Sequence, residues 1–328
     1  MKILVVGYGS IGKRHVKNLL ENSDSEIIIC TKNKNLEKFD MNRVKIVKSL
    51  KKAMNENITC ALITNNTSEH VETATKLINK NIDIFIEKPL SNSIEGISNL
   101  LKLVKKKKII TLMGCNLRFH PCIEKIKKMI NSNEIGKIIS VQVENGSYLP
   151  DWHQNEDYSK SYVAKQKLGG GIILTSIHEL DYLYWLFGDV KEVFAVSEKM
   201  SELKIETNDT ALMILKFKKN ILAEVHLDYL QRPYFRSCKI KGTKGVIYWD
   251  SDSNSVKVFN TNTKKWSKKM HVKKYEHNLE YVKEINHFIH SVKNNKKTIN
   301  NLEDGIDTLK IALAAIRSSK TKKLIKIR

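Results

Sequence analysis

Lys2-Ile3-Leu4-Val5-Val6-Gly7-Tyr8-Gly9-Ser10-Ile11-Gly12 is a short β-branched run that ends in three spaced glycines and leads directly into Ile11–Leu20, where apolar residues recur at helical spacing. The glycines have separate tasks. Gly7 permits a tight turn, Gly9 lets a pyrophosphate approach the backbone, and Gly12 lets the helix lie close against the strand. The start of the helix supplies free amides and the positive end of a dipole, which suit phosphate oxygens. Gly7, Tyr8, Gly9, Ser10, Ile11 and Gly12 are therefore expected to hold a dinucleotide.

Outward from this turn, short β-branched runs alternate with helical patterns. Lys2–Val6, Glu26–Cys30, Val44–Val47, Ile58–Ile63, Ile82–Ile86 and Ile109–Met113 read as strands, and Ile11–Leu20, Ser68–Asn79 and Ile94–Lys105 as helices. That alternation predicts an α/β fold with a doubly wound parallel sheet, an N-terminal Rossmann domain over 1–118. The pattern changes after Arg118. Pro121 can open a helix through Met129, and His178–Phe187 is helical, but strand-like runs joined by short turns dominate: Ile138–Val143, Glu192–Val196, Ala211–Phe217, Leu222–Leu227, Phe235–Ile240 and Val246–Trp249. Residues 119–328 are expected to form a C-terminal α+β domain with a largely antiparallel open sheet. Two helices follow, about Leu279–Ser291 and Glu303–Ser318, the latter expected to pack back on the first domain, before a short strand at Lys323–Ile327. An open sheet face without enough helices to cover it predicts a homo-oligomer, a dimer or tetramer.

Composition narrows the class of protein. With 328 residues, 41% of them hydrophobic, the chain can fill two cores, which excludes a disordered or fibrous protein. No apolar run approaches the ~18–20 residues of a membrane span, and Met1–Val6 is too short for a signal-peptide core, so a cytoplasmic protein is expected. Cys30, Cys60, Cys115, Cys122 and Cys238 contain no CxxC pair and lie mostly in apolar contexts, as reduced core residues do. The net charge of +22 is carried almost wholly by scattered lysine, with arginine at seven positions, which argues for solvated faces over a specific nucleic-acid groove. His287 and His290 share a helix face without an evident third ligand, so no metal site is expected.

The second strand bears on the cofactor. An acidic residue at its end would bond a ribose 2′-hydroxyl, but Cys30-Thr31-Lys32-Asn33-Lys34 offers a hydroxyl and two ammonium groups instead. Thr31 and Lys32, with Lys34, favour NADP and leave NAD as the alternative. Thr64-Asn65-Asn66-Thr67 follows the fourth strand at its carboxyl end, where Thr64, Asn65 and Asn66 can line the nicotinamide side or cap the next helix.

Glu87-Lys88-Pro89, read together with the glycine fingerprint, resembles the Gfo/Idh/MocA family of NAD(P)-dependent oxidoreductases. The likeness extends over nearly the whole chain. Asn116-Leu117-Arg118-Phe119-His120-Pro121 resembles that family's segment at the domain junction. Gly169-Gly170-Gly171 followed by His178-Glu179-Leu180-Asp181 resembles its catalytic helix, and Gly242-Thr243-Lys244-Gly245 its sheet turn. The resemblance implies hydride transfer between a nicotinamide and a carbon of a sugar, sugar derivative or polyol. It also adds His70, Glu87 and Lys88 to the cofactor contacts.

Such a transfer needs a base for the hydroxyl proton and a cation for the developing alkoxide. Lys88, at the carboxyl edge of a parallel strand, and His178, which titrates near neutral pH, suit these roles as the catalytic pair. Asn116, Arg118, Trp152, Tyr162, Thr175 and His178 are the candidate substrate contacts, with Tyr148, Tyr158, Gln231 and Arg232 beside them. The chain departs from its relatives at Thr175, where many carry an aspartate one turn before the histidine. Threonine cannot act as a carboxylate base. Either His178 works without it, with Asp181 orienting the ring or supporting the helix, or the activity is altered or lost. Reduction of a non-sugar carbonyl or imine and a non-catalytic NADP-binding regulator or scaffold stand as the alternative functions.

Overall fold

The computed structural model describes residues 1–33, 39–40, 42–152 and 157–327; Lys34 lies outside them. The first unit begins with β1 (Lys2–Val6), α1 (Ser10–Asn22), β2 (Glu26–Cys30), β3 (Val44–Val47), α2 (Leu50–Ala53), β4 (Cys60–Ile63), α3 (His70–Asn79), β5 (Asp83–Glu87), α4 (Ile97–Lys107) and β6 (Thr111–Gly114). Its six strands are all parallel in the order β3-β2-β1-β4-β5-β6. β4 is buried along its full length, which is why it reads as a continuous apolar run without alternation. The strand order reverses between β1 and β4, and a crevice for a ligand lies outside the carboxyl ends at such a reversal.

The second unit contains α5 (Pro121–Asn131), β7 (Ile138–Gly146), α6 (Ile172–Thr175), α7 (His178–Phe187), β8 (Val190–Glu198), β9 (Thr210–Phe217), β10 (Leu222–Asp228), β11 (Phe235–Gly242), β12 (Gly245–Asp250), β13 (Ser255–Asn260) and β14 (Lys265–His271). Together with β15 (Ile325–Lys326) these strands make a nine-stranded sheet in the order β14-β13-β12-β11-β7-β10-β9-β8-β15. Every neighbouring pair is antiparallel except β7 and β10, which run parallel. Burial alternates along β8 and β9. On the inner face Phe187 at the end of α7 meets Phe217 edge-on at 5.6 Å. The outer face exposes Phe194 opposite Ile214 and Val196 opposite Leu212, with Ile139 and Leu222 also exposed. β13 and β14 fall in the lysine-rich hairpin region, where polar side chains at nearly every position of β14 hide the alternation.

The expected division at 118/119 is amended, because the first unit comprises 1–116 with 277–306 and the second 117–276 with 307–328. The reason lies in α8 (Asn278–Asn294), whose apolar face completes the first core. Phe288 stands edge-on to Phe85 at 5.9 Å, Tyr281 faces His15 at 6.1 Å, and Asn278 and Asn18 exchange amide hydrogen bonds of 2.8 and 3.1 Å. The following segment seats itself along β6. The amide of Met113 donates to the carbonyl of Asn300 at 2.8 Å, and Thr298 Oγ1 to that of Thr111 at 2.6 Å. α9 (Leu302–Thr321) gives its first residues to the first unit and the remainder to the second.

Candidate active site

In the first unit the glycine turn is built by contact. Gly7 has φ +102°, and a Cβ there would lie 2.7 Å from the amide nitrogen of Asn65. A Cβ on Gly12 would lie 2.5 Å from the carbonyl oxygen of Gly7. Gly9 is different, since among the described residues, its chain neighbours aside, a Cβ there would meet no atom within 4 Å. The packing of the described residues leaves open space there, which a ligand brought against the backbone can use. The first turn of α1 has neither a side-chain cap nor an acidic residue, so its amides remain for an anion. These features fit a dinucleotide pyrophosphate.

The neighbouring residues divide into ligand-facing and supporting ones. Tyr8 is buried with its ring against Phe39 at 5.8 Å, which leaves its backbone for the phosphates. Thr64 braces the turn, its buried hydroxyl donating to the carbonyls of Val6 and Gly7, both at 3.0 Å. Asn65 donates through its side-chain amide to Glu69 and Thr73, and Asn66 is exposed. After β2, Thr31 Oγ1 accepts the amide of Asn33 at 3.1 Å and Lys32 is exposed.

Glu87-Lys88-Pro89 leaves the carboxyl end of β5, joined by a cis Lys88–Pro89 peptide. Glu87 turns inward: its Oε1 lies 2.6 Å from Nε2 of the fully buried His15, and its Oε2 accepts the amide of Lys88 at 3.1 Å. The carboxylate thus anchors the backbone of Lys88 to α1. Gly114 on β6 makes room for it, since a Cβ would come within 3.0 Å of the carboxylate. His70 is buried, with its ring between the carbonyls of Pro89 and Asn65, and so supports the segment. Asn116 is held inside the same unit, its amide donating to the buried Glu280 at 2.6 Å.

In the second unit the start of α7 is fixed by two ion pairs, one fully buried and one whose arginine is partly exposed. Arg118 grips Asp181 with Nε to Oδ2 and Nη2 to Oδ1, both 2.8 Å, and Arg236 Nε lies 2.8 Å from Glu179 Oε1. Arg118 is only 1% exposed, which corrects its assignment as a substrate contact. With both oxygens bonded to Arg118, Asp181 supports the helix. Beneath α7 burial pushes the Cys238 thiol up to about 12, against the pull of the neighbouring Tyr182 hydroxyl, so both groups stay neutral there. His178, the first residue of α7, keeps a sliver of solvent exposure.

Three expected substrate contacts gather around one residue that sequence reasoning missed, Tyr229. Trp152 meets its ring edge-on at 5.6 Å, and the Thr175 and Tyr162 hydroxyls lie within electrostatic reach of its phenol. Burial pushes the Tyr229 hydroxyl far up, so it acts as a neutral hydrogen-bonding group. The glycine triplet also has a local cause. A Cβ on Gly170 would strike the carbonyl oxygens of Val163 and Tyr162 at 2.3 and 2.4 Å, and Gly171 has φ +105°. It brings the chain against the Tyr162 segment. Among the described residues no group of three or more His, Cys, Asp or Glu side chains is arranged to hold a metal.

A family model described as the NAD-binding Rossmann fold of an oxidoreductase family matches residues 1–115, and one described as that family's C-terminal alpha/beta domain matches 127–327. The myo-inositol 2-dehydrogenase of Thermotoga maritima is 25% identical over 341 aligned residues, covering 100% of this chain and 98% of its own. Levoglucosan dehydrogenase, solved in complex with NADH, has a TM-score of 0.88 at 16% identity and covers 100% of this chain and 99% of its own. The myo-inositol 2-dehydrogenase from Lactobacillus plantarum has a TM-score of 0.82 at 21% identity, covering 100% and 99%. At these identities the two structures speak for the fold.

Arg118→Met is expected to cost about 3–5 kcal/mol in denaturant unfolding, because it leaves Asp181 buried without its partner. The double variant Arg118→Met/Asp181→Leu is expected to recover most of that loss. A cost below about 1 kcal/mol accompanied by a raised KM would return Arg118 to the substrate contacts.

Proposed function

The chain belongs to the Gfo/Idh/MocA family of NAD(P)-dependent oxidoreductases, and from that premise we propose that it moves a hydride between a nicotinamide and a hydroxyl-bearing carbon of a polyol or sugar derivative, with Lys88 and His178 as its catalytic residues. The observation that carries the reading is the end-to-end match to a polyol dehydrogenase combined with a glycine turn that leaves open space at Gly9 beside the uncapped start of α1. The bound nicotinamide accepts or returns the hydride. Lys88 supplies a cation to the oxygen of the reacting carbon, held by Glu87 through its own amide. His178 takes the hydroxyl proton in the oxidative direction and returns it in the reductive one. Thr175, close to the Tyr229 phenol, lends a hydroxyl to the polar wall and serves as no base. His178 is then the proton-transfer group of its helix turn, because Glu179 and Asp181 are held by arginines.

Substitution separates these roles from cofactor binding. Lys88→Met and His178→Asn are each expected to lower turnover on the order of 10²-fold, the usual scale for a positioned acid or base. Cofactor affinity measured on the same folded variants should change by less than about threefold, since the pyrophosphate is held elsewhere. Turnover would be screened on a panel of inositols, other polyols and sugars. Cofactor binding without turnover of any of them would overturn the reading, and near-parental turnover of His178→Asn would move the acid/base role to Lys88 or Tyr162.

NADP is the favoured cofactor on this reading. Its support is the hydroxyl of Thr31, the exposed Lys32 and the lack of a carboxylate in residues 31–33. NADPH is expected to bind about tenfold more tightly than NADH in a fluorescence titration, the scale of one charged hydrogen bond at about 1.5–3 kcal/mol. Tighter NADH binding would reverse the assignment.

The second sheet supports a homo-oligomer. Phe194, Val196, Leu212 and Ile214 form one exposed apolar patch at the β8–β9 pair, on a face that a second copy of the chain can cover. Light scattering at micromolar concentration is expected to give a dimer or tetramer, and Ile214→Glu to shift it toward monomer. A strict monomer in the parent would refute the assembly.

A further inference from the structure

His70 opens α3 and is 1% exposed, yet both of its ring nitrogens face acceptors that have no proton to give. Nδ1 lies 2.9 Å from the carbonyl oxygen of Pro89, and Nε2 lies 3.0 Å from that of Asn65. A neutral imidazole carries one N–H and can satisfy one of them. The imidazolium carries two. The two carbonyls belong to segments that matter. Pro89 follows Lys88 directly, and the amide of Asn65 is the atom against which Gly7 turns.

We propose that His70 is a positioning residue for Lys88: doubly protonated, it ties the Lys88–Pro89 segment to the Asn65 segment, and singly protonated it lets one of the two go. The inference rests on the role given to Lys88 above. Around the ring, the charged groups that act on it are Glu87 from the end of β5 and Glu69 from the turn before α3. Burial lowers the pKa of the ring, and it outweighs the two carbonyls and the two carboxylates, which pull the other way. The double tie therefore forms on the acid side of the ordinary histidine range and slackens as pH rises.

Hydrogen exchange in the whole protein tests this without a substrate. After correction for intrinsic rates, peptides covering 64–67 and 88–92 should exchange on the order of tenfold more slowly at about pH 5 than at about pH 8, and His70→Gln should erase the difference. With substrate at about pH 5, His70→Gln is expected to lower kcat about tenfold and keep the cofactor KM within about twofold, and across the pH profile it should remove one ionisation from kcat. His70→Leu, which has no donor, should fall further than His70→Gln. If the variants do not fold, ring 15N shifts of the parent decide. His70 should pass from a doubly to a singly protonated ring while the protein stays folded, and a ring singly protonated throughout would overturn the proposal. Equal exchange at both pH values, or unchanged kinetics in His70→Gln, would also overturn it. Lys88→Met retaining full turnover would instead sink the role of Lys88, and the exchange result would then stand by itself.

Discussion

The first unit depends on a steric constraint, the approach of the Gly7 turn to the backbone of Thr64 and Asn65. No side chain fits between them. Because the turn sits directly on the end of β4, α1 starts at the reversal point of the sheet, and its first amides face the space outside the strand ends. Gly12 closes the same contact from the other side, and the Thr64 hydroxyl locks it from below. A ligand bound there meets a surface that is already formed, so little binding energy is spent on ordering the turn.

Histidines and carboxylates then carry that rigidity to Lys88. His15 projects from α1 to Glu87, Glu87 holds the amide of Lys88, and His70 holds the next residue's carbonyl. In the second unit the same principle appears as two arginine–carboxylate pairs that grip α7 on either side of Leu180. Buried pairs of this kind add little net stability over apolar packing, but removing one member is costly. They fix geometry, which is what a hydride acceptor and a proton acceptor require.

Much of this was legible in the sequence. All six strands of the first sheet were found because a parallel sheet buries both faces and its strands read as apolar runs, as β4 does. Most of the second sheet was found from alternation, and it failed at β13 and β14, where lysines replace the outward pattern. Candidate residues were located better than their roles. Thr64, His70, Glu87 and Arg118 carry polar groups in positions suited to ligands, but whether such a group faces out or bonds inward depends on partners distant in sequence, such as Asp181 for Arg118. His15 gave one weak signal, a polar residue on the face of α1 that also holds Gly12 and Leu19. Tyr229 gave none, since its importance comes from the three side chains gathered on it.

The path of the chain also sets a timetable. Residues 277–306 belong to the first unit, and all of 117–276 is synthesised before them. At about 5–20 residues per second, the nascent chain spends on the order of ten seconds or more with Phe85 and the rim of β6 uncovered by α8 and the Asn300 segment. During that interval the amide of Met113 and the side of the sheet around Phe85 offer an apolar, strand-edged surface of the kind that chaperones protect. Maturation of the first unit therefore waits on residues 277–306, and a premature stop after β14 would leave both units unfinished.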